Sequence, residues 1–458
     1  MLFANGLFLI FLPIFIIIYY MIPYRFQKYV LLVGSLFFAY CQSMGTLIAV
    51  MFIGAISFTF SCIFGTNEKV NKAITFFTIM LLTVCMIIAR MMNLALIGIS
   101  FYTLRVIGYV IDVWNGQESE KKLFNHILFV AYFPLLPAGP IEKSSCLFSE
   151  FVFPKSFDEK RAYKGFMYLQ IGYFMKFVIA DRSAVIVDWV YNDYSVVAGS
   201  ICLVAVIMYS IQIYTDFAGY SYIALGISEI LGINICRNFK RPYLSESIKE
   251  FWQRWHISLS SWLKEYVYIP LGGNRKGFIR KEINIFITFL VSGLWHGQGM
   301  HFIAWGAIHG GYRILGDTKN LIMKPIKSSN TARRMIKTVI TFLLVSFAWI
   351  FFRASDMREA LRIIIHILTD FRAESIINGD IFRLGWGRLQ VCGIIMAYLV
   401  LVFIEILVEK GRMSFENYCS LSRIKRNIIC YSILIWIIIC IVQIYGMGQD
   451  TGFIYAKF

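Results

Sequence analysis

The run FWQRWHISLSSWLKEYVYIPLGG (residues 251–273) gathers three Trp, one His, two cations and one Glu in a chain that is otherwise apolar almost from end to end. On a helix turning about 100° per residue over 251–266, Phe251, Trp252, Trp255, Leu259, Trp262, Leu263 and Tyr266 share one broad face. Glu250, Arg254, Ser258, Ser261 and Glu265 fall opposite. The pattern predicts an amphipathic helix. Trp and Tyr sit best at headgroup level, where ring and polar tip are both accommodated, so this helix is expected to lie at or dip from a membrane interface. His256 falls on the border of the two faces; by periodicity alone a capping or solvated His is the favoured reading over a functional one.

A membrane setting follows from composition. Of 458 residues, 58% are apolar and only 16% charged, with a mean hydropathy of +0.66, far from an ordinary soluble chain. No Ser/Pro/Gly linker or low-complexity block interrupts the apolar runs, so residues 1–458 read as one integral membrane domain. Met1–Tyr24 carries no charge and Arg25 and Lys28 follow, which predicts an uncleaved first helix with an extracytoplasmic N-terminus. The charge-free stretch Tyr29–Asn67 is too long for one span and predicts a hairpin turning near Gln42–Thr46. Further spans are expected around 73–89, 93–111, 123–140, 166–187, 197–215, 217–233, 283–296, 300–316, 338–352, 389–408 and 427–448. Some are short or polar enough to be re-entrant, leaving about eleven crossings.

The formal charge of +17 does not indicate nucleic acid. The basic clusters Arg237/Lys240/Arg241, Arg275/Lys276/Arg280/Lys281, Arg333/Arg334/Lys337 and Arg423/Lys425/Arg426 lie between apolar runs, as cytoplasmic loops do, and could also attract a phosphate-bearing donor. The ten Cys are scattered through apolar segments such as TVCM and ICLV, with no C-x-x-C pair or metal spacing, so neither a disulfide framework nor a metal site is expected. Phosphate-loop, dinucleotide and nucleophile-elbow patterns do not occur.

From Ile283 to Tyr312 the chain bears no formal charge yet contains VSGLWHGQGMHFIAWGAIHGGY, with three His. Ionisable side chains at membrane depth are costly and face a cavity or a partner. Gly297 and Gly299 predict an interruption after His296. A second helix then carries His301, near its end, and His309, beside a Gly306–Gly310 step that allows close helix approach. In YTDFAGYSYIALG (214–226), Asp216 needs a wet pocket or a partner. Pairing with an Arg or Tyr is the simpler reading, catalysis the alternative.

Together these segments resemble the membrane-bound O-acyltransferase family, in particular its bacterial branch typified by the membrane subunit of alginate O-acetylation. The resemblance rests on GISFYTLRVIGYVIDVWNG (98–116), FPLLPAGPIEK (133–143), YTDFAGYSYIALG, the block NFKRPYLSESIKEFWQRWHISLSSWLKEYVYIPLGGNRKG (238–277), LWHG and WGAIHG (294–297 and 305–310) and the closing FIYAKF. It implies an all-α polytopic fold around a central funnel, with the family's membrane His at His309 and its second signature position at His256. Trp255, Arg254, Asp216, Trp295 and His296 are the expected substrate-binding residues. Tyr222 stands where many alginate-type relatives carry an acidic residue. No tightly bound cofactor is implied. The acyl donor would be acetyl-CoA or the phosphopantetheine thioester of an acyl-carrier protein, the acceptor a polysaccharide, and the partner an extracytoplasmic protein of the SGNH-hydrolase type.

A neutral imidazole can take the proton of a hydroxyl as its oxygen attacks a thioester, which makes His309 the expected base. His256 would orient substrate, polarise the carbonyl or hold a proton; an acyl-imidazole on His309 is equally compatible. The sister activity, D-alanyl transfer toward teichoic acid, is the alternative enzyme. A glycan or lipid transporter is the non-enzymatic rival, although no inverted repeat is visible.

Overall fold

The computed structural model describes residue 3 and residues 5–322, 331–446 and 453–454. Residues 447–448 of the last expected span and 455–458 of FIYAKF lie outside the described residues. Along the chain the helices are α1 (Gly6–Met21), α2 (Gln27–Gln42), α3 (Met44–Ile63), α4 (Glu68–Met91), α5 (Ile99–Trp114), α6 (Leu123–Ala131), α7 (Ser144–Val152), α8 (Glu159–Tyr173), α9 (Asp181–Asn192) and α10 (Gly199–Ile230). Then follow α11 (Ile248–Arg254), α12 (Ile257–Leu263), α13 (Gly277–His296), α14 (Met300–Ile322), α15 (Thr331–Arg353), α16 (Met357–Thr369), α17 (Ala373–Ile377), α18 (Arg388–Glu409), α19 (Phe415–Cys419) and α20 (Arg423–Gly446). No strand occurs among the described residues. The chain is all-helical, as expected. Among the described residues six helices, α3, α4, α10, α15, α18 and α20, are long and apolar enough to cross a membrane, while α1 and the 123–135 segment are apolar but shorter.

Two compact units divide the chain: Met1–Gly172 with Tyr220–Arg237 and Gly452–Phe458, and Tyr173–Gly219 with Asn238–Thr451. In the first, the expected hairpin turns at Ser43, whose hydroxyl accepts the backbone N–H of Thr46 and so caps α3. Arg105 is buried in α5 and donates to the carbonyls of Phe129 (2.7 Å) and Leu135 (3.3 Å). A guanidinium offers only donors, so both contacts run from Arg105 to a backbone carbonyl, and that of Leu135 also accepts the Gly139 N–H (3.2 Å).

The second unit holds the His-rich run. The chain breaks after His296 as the glycines predict, and α13 and α14 form a hairpin. Its helices approach so closely that a Cβ on Gly306 would stand 2.4 Å from the Phe289 carbonyl oxygen, and one on Gly293 2.3 Å from that of Phe302. Only glycine permits this contact. In the same unit a π-helical turn, Phe174–Ala180, places the Lys176 ammonium between Asp181 (2.7 Å) and Asp216 (2.8 Å), all three groups buried. A partner of Asp216 is therefore a lysine, a residue type the expectation did not name.

This ion pair corrects one boundary. Spans were expected at 197–215 and 217–233, yet α10 runs unbroken for 32 residues, roughly 48 Å at 1.5 Å per residue. With its charge met by Lys176, Asp216 no longer interrupts the helix. Similarly, the apolar run at 166–187 is split between α8, the π-helical turn and α9.

Gly306→Ala is expected to destabilise the protein by about 1–3 kcal/mol, as overpacking does, read as a lower melting temperature in detergent; an unchanged value would mean that α13 and α14 part freely. Lys176→Met leaves two buried carboxylates without their cation and is expected to cost about 3–5 kcal/mol. Adding Asp216→Asn should recover part of the folded yield; no recovery would show that the loss is one of packing.

Candidate active site

The predicted helix over 251–266 is not continuous. It ends at Arg254, Trp255 is extended, His256 adopts a left-handed conformation (φ 43°, ψ 55°), and α12 begins at Ile257. Such a conformation costs a non-glycine residue about 1–2 kcal/mol, and three ties to the preceding segment offset it. Lys240 N–H donates to the Arg254 carbonyl (2.9 Å), Ile257 N–H to the Asn238 carbonyl (2.9 Å) and Ser258 N–H to the Asn238 side chain (3.2 Å). The expected apolar face survives the break: Phe251, Trp255, Leu259 and Leu263 are buried. His256 is buried too, not on a wet border, with 1% exposure.

His309, on α14, is fully enclosed by rings. Trp252, Trp305, Phe251, Phe289, Tyr312 and Trp349 all have ring centroids within 6.3 Å of it. The Trp252 indole N–H donates to its Nδ1 at 3.3 Å. An indole N–H can only donate, so Nδ1 accepts and the proton of the neutral ring lies on Nε2. Among the described residues that Nε2 is buried without a hydrogen-bond partner, and so is the indole nitrogen of Trp305, one helical turn earlier. Two polar groups left unanswered on one helix face of a packed interior are available to a bound ligand.

His256 has the opposite arrangement. Asn238 Oδ1 accepts from the Ser258 N–H and from the Ser258 hydroxyl (2.9 Å), which fixes that atom as the amide oxygen. His256 Nδ1, 3.1 Å from the same oxygen, must then donate, and in the neutral ring Nε2 carries the lone pair.

A chain of rings joins the two histidines. His256 meets Trp295 at 6.1 Å, Trp295 meets His296 at 4.7 Å, His296 meets Trp305 at 5.0 Å, and Trp305 meets His309 at 5.1 Å. Phe217, next to Asp216, packs edge-on against His256 at 4.7 Å. Five of the seven sequence candidates, His309, His256, Trp255, Trp295 and His296, thus share one aromatic cluster. The other two are engaged in the scaffold. Asp216 is paired with Lys176, and Arg254 bridges Glu250 (2.6 Å) and Glu409 (2.9 Å), with Arg241 on the same Glu409 carboxylate. His301 is the second residue of α14 and stays near its start.

Four contributors went unassigned in the sequence: Trp252, Trp305, Asn238 and Lys176. The i, i+4 spacing of Trp305 and His309 could have found the second, and Lys176 was a bare charge in the apolar run FMKFVIA. Nothing local marks Asn238 as the oxygen that orients a ring 18 positions later.

Comparison with known proteins places this arrangement. The profile of MBOAT, the membrane-bound O-acyltransferase family, matches residues 35–355. The chain is 34% identical to the probable alginate O-acetylase AlgI of Pseudomonas fluorescens over 88% of its own length and 82% of that protein. It is 33% identical to the peptidoglycan O-acetyltransferase of Helicobacter pylori over 58% of its length and 56% of that protein. To the teichoic acid D-alanyltransferase of Bacillus subtilis it is 30% identical over 57% and 69%. These relatives are acyltransferases, which sets the transporter reading aside. With a profile match across most of its helices and its conspicuous histidines inside the matched region, this multi-pass membrane protein belongs to the membrane-bound O-acyltransferase family and is an acyltransferase.

Proposed function

We propose that the chain moves an acyl group, acetyl in the best-supported case, from a cytoplasmic thioester to hydroxyls of a cell-surface or secreted polysaccharide. The reading is supported most by His309 Nε2 and Trp305 Nε1, buried on one face of α14 with no hydrogen-bond partner among the described residues, and by the greater reach of the similarity to alginate O-acetylases than to D-alanyltransferases. The donor would be acetyl-CoA or a phosphopantetheine thioester, with an SGNH-hydrolase-type protein receiving or relaying the group outside. The N-terminus would be extracytoplasmic, and shorter apolar helices such as α1 would raise the crossings toward eleven. D-alanyl transfer differs in its donor, so release of free thiol from acetyl-CoA by the purified protein separates the two.

The chemistry needs a proton acceptor for the hydroxyl and a donor for the carbonyl oxygen that becomes an oxyanion. The hydrogen bonds favour a division of roles that reverses the first expectation for His309. His256 Nε2, with its lone pair, takes the hydroxyl proton as the oxygen attacks the thioester carbon, and returns it to the departing thiolate. His309 Nε2–H and Trp305 Nε1–H hold the oxyanion. His309 does not give up its proton, because Trp252 occupies Nδ1 as a donor and the ring would be left an anion. The products are an ester and a free thiol.

His309→Ala is expected to abolish acyl transfer at unchanged membrane abundance. His309→Gln, which keeps an N–H donor, should retain measurable turnover, whereas a base at His309 would make Gln as inactive as Ala. Trp305→Phe keeps the ring and loses the donor; it should lower kcat about 10²-fold, as oxyanion donors do, with KM little changed. Equal kcat in Trp305→Phe would remove that residue from the site. His256→Ala should be inactive yet folded, and retained activity would return His256 to a purely structural role.

A further inference from the structure

A cavity of about 220 Å³ lies in the first unit, at the end of α1 and the start of α2, walled by Tyr19, Arg25, Gln27, Lys28 and Glu150 with the 151–154 segment. Its polar groups divide into those that are answered and those that are not. The Gln27 amide is used twice, donating to the Lys155 carbonyl (2.8 Å) and accepting the Lys155 N–H (3.0 Å). Glu150 is held by the Lys155 ammonium (2.6 Å) and the Asn234 amide (2.7 Å). Tyr19 is 3% exposed, yet its hydroxyl meets no hydrogen-bond partner among the described residues, while the adjacent Tyr20 hydroxyl donates to the Ile230 carbonyl. Among the described residues Arg25 and Lys28 make no ion pair, and they lie against the rings of Phe26 and Tyr29.

The unanswered groups are thus two cations and a phenol at one concavity. Together they call for an anion with several acceptor oxygens, and a tetrahedral phosphate fits that demand. The rim tells where the phosphate comes from. Tyr24, Phe26, Val152 and Phe153 are exposed beside the cavity; aromatic residues at a helix end mark headgroup depth, and basic residues there mark the cytoplasmic leaflet, where anionic lipids reside.

We propose that this cavity is a binding site for a phosphate ester at the membrane surface, occupied by the headgroup of an anionic phospholipid with its acyl chains along the exposed apolar rim. Arg25 and Lys28 neutralise the phosphate, and the Tyr19 hydroxyl donates to one of its oxygens from the cavity floor.

The test is lipid retention by the full chain, read by native mass spectrometry and by thermal shift, with phosphatidylglycerol, phosphatidylcholine and inorganic phosphate as separate probes. Phosphatidylglycerol should be retained over phosphatidylcholine and raise the melting temperature. Tyr19→Phe, and Arg25→Gln with Lys28→Gln, should weaken that retention about tenfold while the lipid-free melting temperature holds. Equal retention of the two lipids, or unchanged phosphatidylglycerol retention in both variants, would overturn the site. Protection by millimolar inorganic phosphate equal to that by the lipid, and lost in Tyr19→Phe, would overturn the lipid as occupant.

Discussion

An imidazole packed among indoles at membrane depth has no water to answer its nitrogens, so the protein must supply a partner for each or leave one open for a substrate. That constraint governs the second unit. The Trp252 N–H answers His309 Nδ1, and the Asn238 oxygen answers His256 Nδ1. The two answers have opposite polarity, so the rings are set in opposite tautomers by their neighbours. Presenting those neighbours requires the rest: the α13–α14 hairpin closed through Gly293 and Gly306 to carry His309 and Trp305, and the break at Trp255–His256 to turn the second ring inward.

The scaffold around the site shows the same economy of charge. Two charged groups near the histidines are paired within the fold: Asp216 with Lys176, and Arg254 with Glu250 and Glu409. Among the described residues, His309 Nε2 and Trp305 Nε1 meet no hydrogen-bond partner, and the proposed mechanism sets the reacting carbonyl there. Donors fixed in an apolar surround need no reorganisation when charge develops on oxygen, which is why such groups are worth more here than in water. The similar proteins are named for acylating alginate, peptidoglycan and teichoic acid, so acceptors vary within the family.

Much of this was legible in the sequence because it is local. The turn at Ser43 follows from a charge-free run too long for one crossing, the break after His296 from Gly297 and Gly299, and the inward face of His309 from the Gly306–Gly310 step. What escaped was set by partners distant in the chain. Helical periodicity carried straight through Trp255 and His256 because the ties that break the helix come from residues 238–240. Asp216 looked like an interruption because its lysine lies 40 positions away. Trp252 read as an interfacial anchor and Trp305 carried no reading of its own, since nothing in a Trp tells whether its N–H will face water or an imidazole.

Histidine side-chain nitrogen NMR on the full chain in lipid bilayers reads the decisive feature directly, with the His309 signals assigned by their loss in a substituted protein. His309 should have an unprotonated Nδ1 and a protonated Nε2, and His256 the reverse. Substituting Trp252 by Phe should let the His309 proton populate both nitrogens. A His309 protonated on Nδ1, or on both nitrogens, at neutral pH would contradict the division of roles between the two rings.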